Sequence, residues 1–292
     1  MNGEKPIVSV VMITYMHEQF IADAINGILI QEVDFQVELI LADDCSPDGT
    51  EKIVKSFESH PNFLRVKYTK HSKNIGMMPN FIWALNQARG RYIALCEGDD
   101  YWTDPLKLQK QVDFLEGNED FSLVAHDIML LKDDNYISDK KNRTEFFLSD
   151  FFKGSCINTV SAVFRNNIHS IESIEHARVG DWALFILCAE KGRVGFISEE
   201  MAVYRIHDAG IFSGVEKKDE KIIEILESFK KVFPKYKDEF QKSIVSKSLY
   251  LNLYSVKLKS ILSGKTPPIA VYLKFKHWLK SNFLNMIGRS IR

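Results

Sequence analysis

Two acidic pairs in this chain have the chemistry to hold a cation. Asp43 and Asp44 come directly after one apolar run, and Asp99 and Asp100 come shortly after another. Carboxylates at the carboxyl ends of neighbouring parallel strands point into one crevice, where open α/β sheets bind their ligands. Clustered carboxylates repel one another unless a cation compensates their charge, and a hard divalent metal can hold a substrate diphosphate at the same time. The two pairs therefore predict an enzyme active site.

The segments around these pairs alternate between strand and helix patterns. Residues 7–14 are rich in β-branched side chains, which predicts a buried parallel strand, and apolar residues at helical spacing from Phe20 to Leu29 predict a helix after it. The alternation continues through strands at 37–42, 64–68 and 92–96, with helices between them at about 50–59 and 79–88. This order predicts a doubly wound α/β fold with a mostly parallel central sheet flanked by helices.

The second half of the chain divides into an irregular part and a helical part. Short apolar runs alternate with loops up to residue 203, with one helix predicted at about 181–189. Lys- and Glu-rich helical patterns then predominate, so we predict a catalytic domain over 1–215 and a helical C-terminal extension over 216–292. Its last stretch, 269–292, has no acidic residue and forms a basic amphipathic tail. That tail either packs on its own domain or docks on an anionic membrane surface.

Composition excludes several classes of protein. A formal net charge of -1 over 292 residues gives no bulk attraction to nucleic acid. The four cysteines are scattered without metal-ligand spacing, which is typical of reduced thiols in a cytoplasmic protein. The chain opens without a signal-peptide pattern and has no run of about 18 apolar residues that would span a membrane. We therefore expect a soluble cytoplasmic protein.

Two common nucleotide-binding motifs are not supported. The first strand runs into Thr14 to Gln19 without a glycine-rich turn, so the dinucleotide fingerprint is missing where it would have to stand. The segment 264–266 resembles the end of a P-loop, but Lys259 occupies the position of the first glycine. A nicotinamide enzyme and a P-loop nucleotidase are therefore both disfavoured.

Four other segments, in the right order and at the right spacing, resemble family 2 glycosyltransferases of the GT-A fold. They are residues 9–18 at the end of the first strand, 42–50 with the form D-D-x-S-x-D-G-T, 74–76 with the form N-x-G, and 97–100 in the position of the D-x-D metal motif. The resemblance covers about residues 6–212 and is to transferases of the bacterial cell-surface polysaccharide type. It implies a GT-A catalytic domain that uses a nucleotide-diphosphate sugar.

The resemblance also implies which residues bind the nucleotide. These are Thr14, Tyr15, Glu18, Asp43, Asp44, Asn74 and Asp99, with Asp44 accepting a hydrogen bond from the base. Met16 stands where the family commonly has asparagine. For Asp48 two roles stay open: a contact to the nucleotide, or a turn with Gly49 that caps the next helix.

The D-x-D position implies a metal ligand. By resemblance, Asp99 binds Mn²⁺ or Mg²⁺, which stabilises charge on the leaving diphosphate. Glu97 replaces the first aspartate of the motif, so its contact to the metal or the diphosphate is direct, through water or absent. Asp100 either binds the metal or orients the donor sugar.

A third metal ligand is implied by the segment 204–207, which is similar to the family's Y-R-x-H closing motif. His207 is then a metal ligand beside carboxylate and phosphate oxygens, or else an ordinary surface or core histidine. Arg205 is a candidate cation for the diphosphate.

The segment 179–184 resembles the family's E-D-W stretch at the start of a helix and implies the catalytic base. Asp181 would take the proton from the acceptor hydroxyl in a direct displacement with inversion, or would only cap the helix. Gly180 stands in place of the acidic partner. Trp182 either stacks on an acceptor sugar or packs in the core.

Together these features predict a metal-dependent inverting glycosyltransferase. Its expected donor is a UDP-linked sugar, and its expected acceptor is a hydroxyl of a glycan or a lipid-linked glycan. The basic tail would give it peripheral contact with the cytoplasmic face of the inner membrane. The alternative is a non-catalytic subunit that binds nucleotide or glycan in a polysaccharide assembly system. A metal-dependent hydrolase is disfavoured, because no opposed pair of glycosidase carboxylates can be identified.

Overall fold

One ten-stranded mixed sheet forms the centre of the first of two structural units, Met1–Gln241. The computed structural model describes residues 6–62, 66–207 and 218–248. The strands are β1 (Val8–Thr14), β2 (Val37–Asp43), β3 (Val66–Lys70), β4 (Tyr92–Leu95), β5 (Tyr101–Trp102), β6 (Phe121–Lys132), β7 (Asn135–Asp139), β8 (Glu145–Phe146), β9 (Val163–Arg165) and β10 (Arg193–Ile206). The helices are α1 (Ile21–Leu29), α2 (Thr50–Ser56), α3 (Met77–Gln87), α4 (Lys107–Gly117), α5 (Leu148–Phe151), α6 (Gly180–Ala189) and α7 (Lys218–Val232). The second unit, Lys242–Arg292, is described over 242–248, which are helical.

The strand order in the sheet is β3-β2-β1-β4-β9-β6-β10-β5, with β7 added to β6 and β8 added to β10. The first four strands are parallel, and so are β6 and β10. Strands β5, β7, β8 and β9 run antiparallel to their neighbours. Thr14 pairs with Asp43 at the carboxyl ends of β1 and β2, so the loops that follow these strands begin side by side.

Strand β1 is buried on both faces because a helix covers each of them. Val10 and Met12 belong to the same core cluster as Ile21 and Ile25 of α1. Val11 points to the opposite face, where α3 packs on β1 and β2. A strand covered on both faces needs apolar residues at successive positions, which is the pattern that predicted it.

The predicted α/β class is confirmed, and its parallel half lies where the sequence pattern put it. The second half of the sheet is more mixed than predicted, and β6 and β10 are much longer than the short apolar runs in that region. Strand β10 has register shifts around Glu200, and these interrupt the alternation by which a long strand is recognised. Helix α3 begins at Met77, and Pro79 lies in its first turn, where a missing backbone N–H is tolerated.

The C-terminal predictions are only partly within the described residues. Helix α7 and the helical segment 237–248 agree with a helical extension, and the turn Pro234–Tyr236 separates them. The predicted domain boundary at 215/216 lies outside the described residues and stays a prediction, and so does the basic tail 269–292. Among the helices of the described residues, none has the length and apolar character of a membrane span.

The acidic loop, defined here as residues 96–100, is fixed by the strand that follows it. A Cβ on Gly27 of α1 would lie 2.7 Å from the carbonyl oxygen of Trp102, so helix and strand approach closely there. The Trp102 indole donates to the Val160 carbonyl at 3.0 Å, and Lys107 Nζ lies 4.0 Å from the centre of the indole ring. The Lys107 side chain is buried, and that burial lowers its pKa to about 7. Strand β5 is therefore a rigid support for the acidic loop.

The substitution Gly27→Ala tests this close approach. The added methyl would meet the Trp102 backbone, so we expect the free energy of unfolding to fall by about 1–3 kcal/mol, even though alanine favours a helix. Urea denaturation followed by circular dichroism measures the change. The matched control is Gly117→Ala in α4, where nothing lies within 4 Å of the new methyl and stability should stay the same or rise slightly. Equal effects of the two substitutions would contradict the close approach.

Candidate active site

The loop after β1 is tied to the loop after β2 through three successive backbone amides. The amides of residues 16, 17 and 18 donate to side-chain oxygens of the second loop: Met16 N to Ser46 Oγ at 3.0 Å, His17 N to Thr50 Oγ1 at 3.1 Å, and Glu18 N to Asp48 Oδ2 at 3.2 Å. Glu18 closes the connection in the other direction, because its carboxylate accepts the Gly49 amide at 2.6 Å. These two loops, residues 14–18 and 43–50, are called the nucleotide wall here, and they form one connected unit.

Asp48 has the turn role that was one of its two alternatives. Its Oδ1 accepts the Thr50 amide at 3.1 Å and the Thr50 hydroxyl at 2.7 Å, at the start of α2. These hydrogen bonds help hold the pKa of Asp48 below its usual range, although burial opposes them. The carboxylate therefore stabilises the second loop and the first turn of the helix.

Both loops contain a residue in the left-handed region of the backbone. Met16 has φ 59° and Cys45 has φ 63°. Asparagine adopts this conformation more readily than methionine, because its short polar side chain can hydrogen-bond to nearby backbone. The backbone at position 16 therefore accounts for the asparagine that is common there in the family that the sequence resembles. Tyr15 and Met16 are exposed at the crevice, and Thr14 is buried below them.

Asp43 and Asp44 hold backbone in place. Asp43 is fully buried and accepts the Ser46 amide at 2.7 Å and the Tyr68 hydroxyl at 2.8 Å. Asp44 accepts the Ile75 amide at 2.7 Å and the Gly76 amide at 2.9 Å, which brings the predicted N-x-G segment to the end of β2. In the same segment the Asn74 side chain accepts the Gly76 amide at 3.1 Å. Each Asp44 oxygen has a second lone pair, but the residue is 3% exposed, and its predicted hydrogen bond to a base stays a prediction.

Glu97, Asp99 and Asp100 converge at the end of β4. One oxygen from each lies within 4.8 Å of the others, as the sequence predicted for a cation site. Oδ1 of Asp99 and Oδ2 of Asp100 are buried and have no hydrogen-bond partner in the described part of the chain. Buried carboxylate oxygens without donors are destabilising unless something else compensates them. A hard divalent cation with oxygen ligands fits this group of atoms.

The three carboxyl groups differ in their electrostatic environment. Burial and repulsion from Asp99 raise the pKa of Glu97 and of Asp100 well above the usual range, and Asp181 adds to the repulsion on Glu97. Burial acts in the same direction on Asp99, but a hydrogen bond from His207 and the field of His17 outweigh it and lower its pKa. Asp99 therefore carries the most stable negative charge of the cluster, which agrees with its predicted role as the principal ligand.

Arg205 and His207 approach the cluster from the end of β10. His207 Nε2 lies 3.1 Å from Asp99 Oδ2. The Arg205 amide donates to Asp100 Oδ1 at 2.9 Å, and its guanidinium donates to the Asp99 carbonyl at 2.9 Å and pairs with Asp23. The same guanidinium lies 4.3 Å from the centre of the Tyr101 ring. Arg205 thus braces the acidic loop, and its predicted contact to a diphosphate stays a prediction.

Asp181 lies in the first turn of α6 and within the electrostatic influence of Glu97. Its Oδ2 accepts the Thr159 hydroxyl at 2.7 Å and its Oδ1 accepts the Trp182 amide at 2.7 Å. The helix cap position is Val179, which lies before Asp181, so the alternative that Asp181 is a plain N-cap does not describe the structure. Burial raises the pKa of Asp181 above its ordinary value, although the hydrogen bonds from Thr159 and the Trp182 amide oppose it.

The two neighbours of Asp181 are explained by packing. A Cβ on Gly180 would lie 2.7 Å from the Met78 sulfur and 3.0 Å from the Phe81 ring, so a larger side chain at this position would have to displace the Met78 side chain. Trp182 is 2% exposed and donates its indole N–H to the Phe151 carbonyl at 2.8 Å. Trp182 therefore packs, and the acceptor-stacking role predicted for it has no exposed ring face in this structure.

Two residues near the cluster were missed by sequence reasoning. His17 Nε2 lies 3.7 Å from Asp99 Oδ2, and the pKa of Tyr204 is raised by burial and by the carboxylates of the cluster. Tyr204 stands beside Arg205 in the predicted closing motif, so its position had a signal. His17 lies between two predicted nucleotide-wall residues, and nothing in its spacing indicated that its ring faces the acidic loop.

Comparison with known proteins agrees with this geometry. The model of the family described as "Glycosyl transferase family 2" matches residues 9–170. An uncharacterised Mycobacterium tuberculosis protein is 35% identical over 209 residues, a match that covers 70% of this chain and 60% of that protein. The putative teichuronic acid biosynthesis glycosyltransferase TuaG of Bacillus subtilis is 28% identical over 73% of this chain and 84% of its own length.

A solved structure shows the same fold. The complex of S. aureus TarS residues 1–349 with UDP-GlcNAc superposes with a TM-score of 0.59 at 19% identity, over 75% of this chain and 64% of that chain. The GT-A-like architecture predicted from the sequence, a curled central sheet with helices around it, is confirmed by this likeness.

The substitution Met16→Asn tests the left-handed backbone at the first loop. The Met16 side chain is 55% exposed, so little packing is lost, while asparagine tolerates φ 59° better. We expect the free energy of unfolding to rise by about 1 kcal/mol, measured by urea denaturation. The control is Met16→Ala, which removes the same packing but keeps a residue that disfavours this conformation. A gain with alanine as large as that with asparagine would show that backbone strain is not the cause.

Proposed function

This chain belongs to glycosyl transferase family 2, and from that membership we propose that it transfers a sugar from a nucleotide-diphosphate sugar to a hydroxyl of a glycan acceptor. The observation that carries the proposal is the half-buried cluster of Glu97, Asp99 and Asp100 at the carboxyl end of β4, with two buried carboxylate oxygens that lack donors among the described residues. The predicted nucleotide wall begins beside this cluster, on the neighbouring strand. A diphosphate needs that combination of a cation site and a rigid crevice.

The two connected loops would bind the nucleotide part of the donor. Tyr15 offers an exposed ring at the crevice, and Asp44 keeps acceptor capacity for the base. Thr14, Glu18, Asp43 and Asn74 would act mainly by holding the loops in shape, which follows from their buried position or their hydrogen bonds to backbone. The wall is formed before the donor arrives, so little ordering entropy would be lost on binding.

Asp99 and Asp100, with Glu97 beside them, would hold a Mn²⁺ or Mg²⁺ ion. When bound, such an ion neutralises charge on the leaving diphosphate. Arg205 fixes the backbone and one oxygen of these carboxylates, and so keeps the other oxygens directed into the crevice. Burial and repulsion from Asp99 raise the pKa of Glu97, and a cation bound beside it would favour its ionised form.

Asp181 would accept the proton of the attacking hydroxyl. A single base beside the sugar is sufficient for a direct displacement, which inverts the configuration at the anomeric carbon. Asp181 is held by Thr159 and the Trp182 amide, so its orientation is set before the acceptor binds. The proton leaves the acceptor oxygen for the carboxylate as the new glycosidic bond forms and the bond to the diphosphate breaks.

The acceptor we propose is a glycan or lipid-linked glycan of the cell surface. The likeness to TuaG, named for teichuronic acid biosynthesis, supports this class of acceptor. The likeness to TarS, solved with UDP-GlcNAc, supports a UDP-linked donor. The chain spans 60% of the length of the mycobacterial relatives it matches, so donor, acceptor and cellular place are all part of the proposal. We propose action at the cytoplasmic face of the membrane, with peripheral contact through the basic tail.

Calorimetric titration with UDP, GDP and dTDP, each with and without Mn²⁺, tests the donor site. We expect one nucleotide to bind tightly in a manner that needs Mn²⁺, and Asp99→Asn to lose that metal-dependent part because a negative ligand is removed. The control is Asp113→Asn, an exposed residue of α4, which should bind as the wild type does. Absence of nucleotide binding under every condition would refute the transferase proposal. Binding without turnover on any acceptor would favour the non-catalytic subunit.

The substitution Asp181→Asn tests the base. We expect turnover to fall by about 10²–10⁴-fold while donor binding is kept, measured by release of the nucleoside diphosphate. Because a base acts in its ionised form and burial raises the pKa of Asp181, the wild-type rate should fall as the pH drops through a value above the usual aspartate range. Thermal melting of both proteins controls for folding. Full activity of the variant would remove Asp181 from the mechanism.

A further inference from the structure

Trp182 joins the proposed base to the C-terminal helical extension. Its backbone amide donates to Asp181 Oδ1 at 2.7 Å, and its indole ring lies against the ring of Phe229 in α7, with 5.1 Å between the ring centres. We infer that Phe229 is a positioning residue for the transfer reaction: through Trp182 it fixes the first turn of α6, and with it the direction of the Asp181 carboxylate. This inference rests on the proposed function, since it takes Asp181 as the base.

The indole of Trp182 is held at two places. Its Nε1–H donates to the Phe151 carbonyl at 2.8 Å, at the end of α5. Its ring meets the ring of Phe229 at 78°, an edge-to-face arrangement that is favourable for aromatic pairs, and both side chains are buried. A tryptophan side chain has few rotatable bonds, so a ring fixed at two places also restrains the backbone from which it projects. That backbone carries the amide that holds Asp181.

The two supports of the indole are themselves joined by phenylalanine rings. The ring centre of Phe240, also in the extension, lies 5.8 Å from that of Phe229 and 5.3 Å from that of Phe152. Phe152 directly follows Phe151, whose carbonyl accepts the indole N–H. Rings of the extension therefore stand behind both contacts of Trp182.

The first turn of α6 depends on support from outside the helix. Its cap residue is Val179, whose side chain has no polar atom and cannot form a capping hydrogen bond. The first N–H groups of a helix have no partner within the helix, so an end without such a cap is less stable. On one side the turn lies against α3, where a Cβ on Gly180 would be 2.7 Å from the Met78 sulfur. Trp182, with Phe229 behind it, supplies a second support.

The substitution Phe229→Leu in the full chain tests this inference. Turnover, measured by release of the nucleoside diphosphate, should fall by about 10-fold or more, because a small misplacement of a catalytic group is costly. Calorimetric titration with UDP and Mn²⁺ should match the wild type, since the donor site is not changed. Phe229→Met keeps a contact to the indole through its sulfur and should recover part of the turnover. The matched control is Phe146→Leu, a buried ring of another aromatic pair, which should keep wild-type turnover.

A double-mutant cycle with Asp181→Asn separates positioning of the base from packing alone. If Phe229 acts through the carboxylate, Phe229→Leu should lower wild-type turnover but add little to the loss in Asp181→Asn. An equal factor of loss in both backgrounds, or wild-type turnover of Phe229→Leu, would overturn the inference alone. Circular dichroism at the assay temperature checks folding, and the same cycle with Phe229→Met decides if Phe229→Leu does not fold. Full activity of Asp181→Asn would instead refute the proposed base, and this inference with it.

Discussion

Repulsion among three half-buried carboxyl groups is the constraint on which the rest of this structure depends. Glu97, Asp99 and Asp100 are brought together by a single short turn. The nearby donors are arranged around the edge of this cluster. The Arg205 amide donates to Asp100, and the Arg205 guanidinium donates to the Asp99 carbonyl. His17 and His207 lie near one oxygen of Asp99. This arrangement keeps the charge in place and leaves its centre to a ligand.

In the nucleotide wall, acidic side chains hold the loop backbone in place by accepting hydrogen bonds from its amides. The carboxylates of Glu18 and Asp44 accept amides of neighbouring loops, and Asp43, at the end of β2, accepts the Ser46 amide of the second loop. These bonds are charge-assisted and therefore stronger than neutral ones. A residue of a functional motif can thus act by holding the loop that contacts the ligand, without contacting the ligand itself. The crevice is rigid because its walls are connected to each other, and the acidic loop has its own support in β5.

The fold of the first half could be predicted because it depends on local patterns. Apolar runs specified β1, β2 and β4, and the rule that ligands bind at the carboxyl ends of parallel strands brought Asp44 and Asp99 into one crevice. The contacts of Arg205 and the burial of Trp182 could not be predicted, because they depend on partners far away in the chain. The left-handed backbone at Met16, directly before His17, could not be predicted either, because methionine rarely adopts it.

Strand β10 has a consequence for how the protein folds. It carries to the cluster an amide that is separated from Asp100 by 105 positions in the chain. Closing a loop of that length costs entropy before any contact compensates it, so contacts of this kind form slowly. A nascent chain would complete β1 to β4 and the loops between them while the acidic turn still lacked its brace. The acidic loop therefore gains its brace only after β10 has joined the sheet, later in synthesis than the loops that follow β1 and β2.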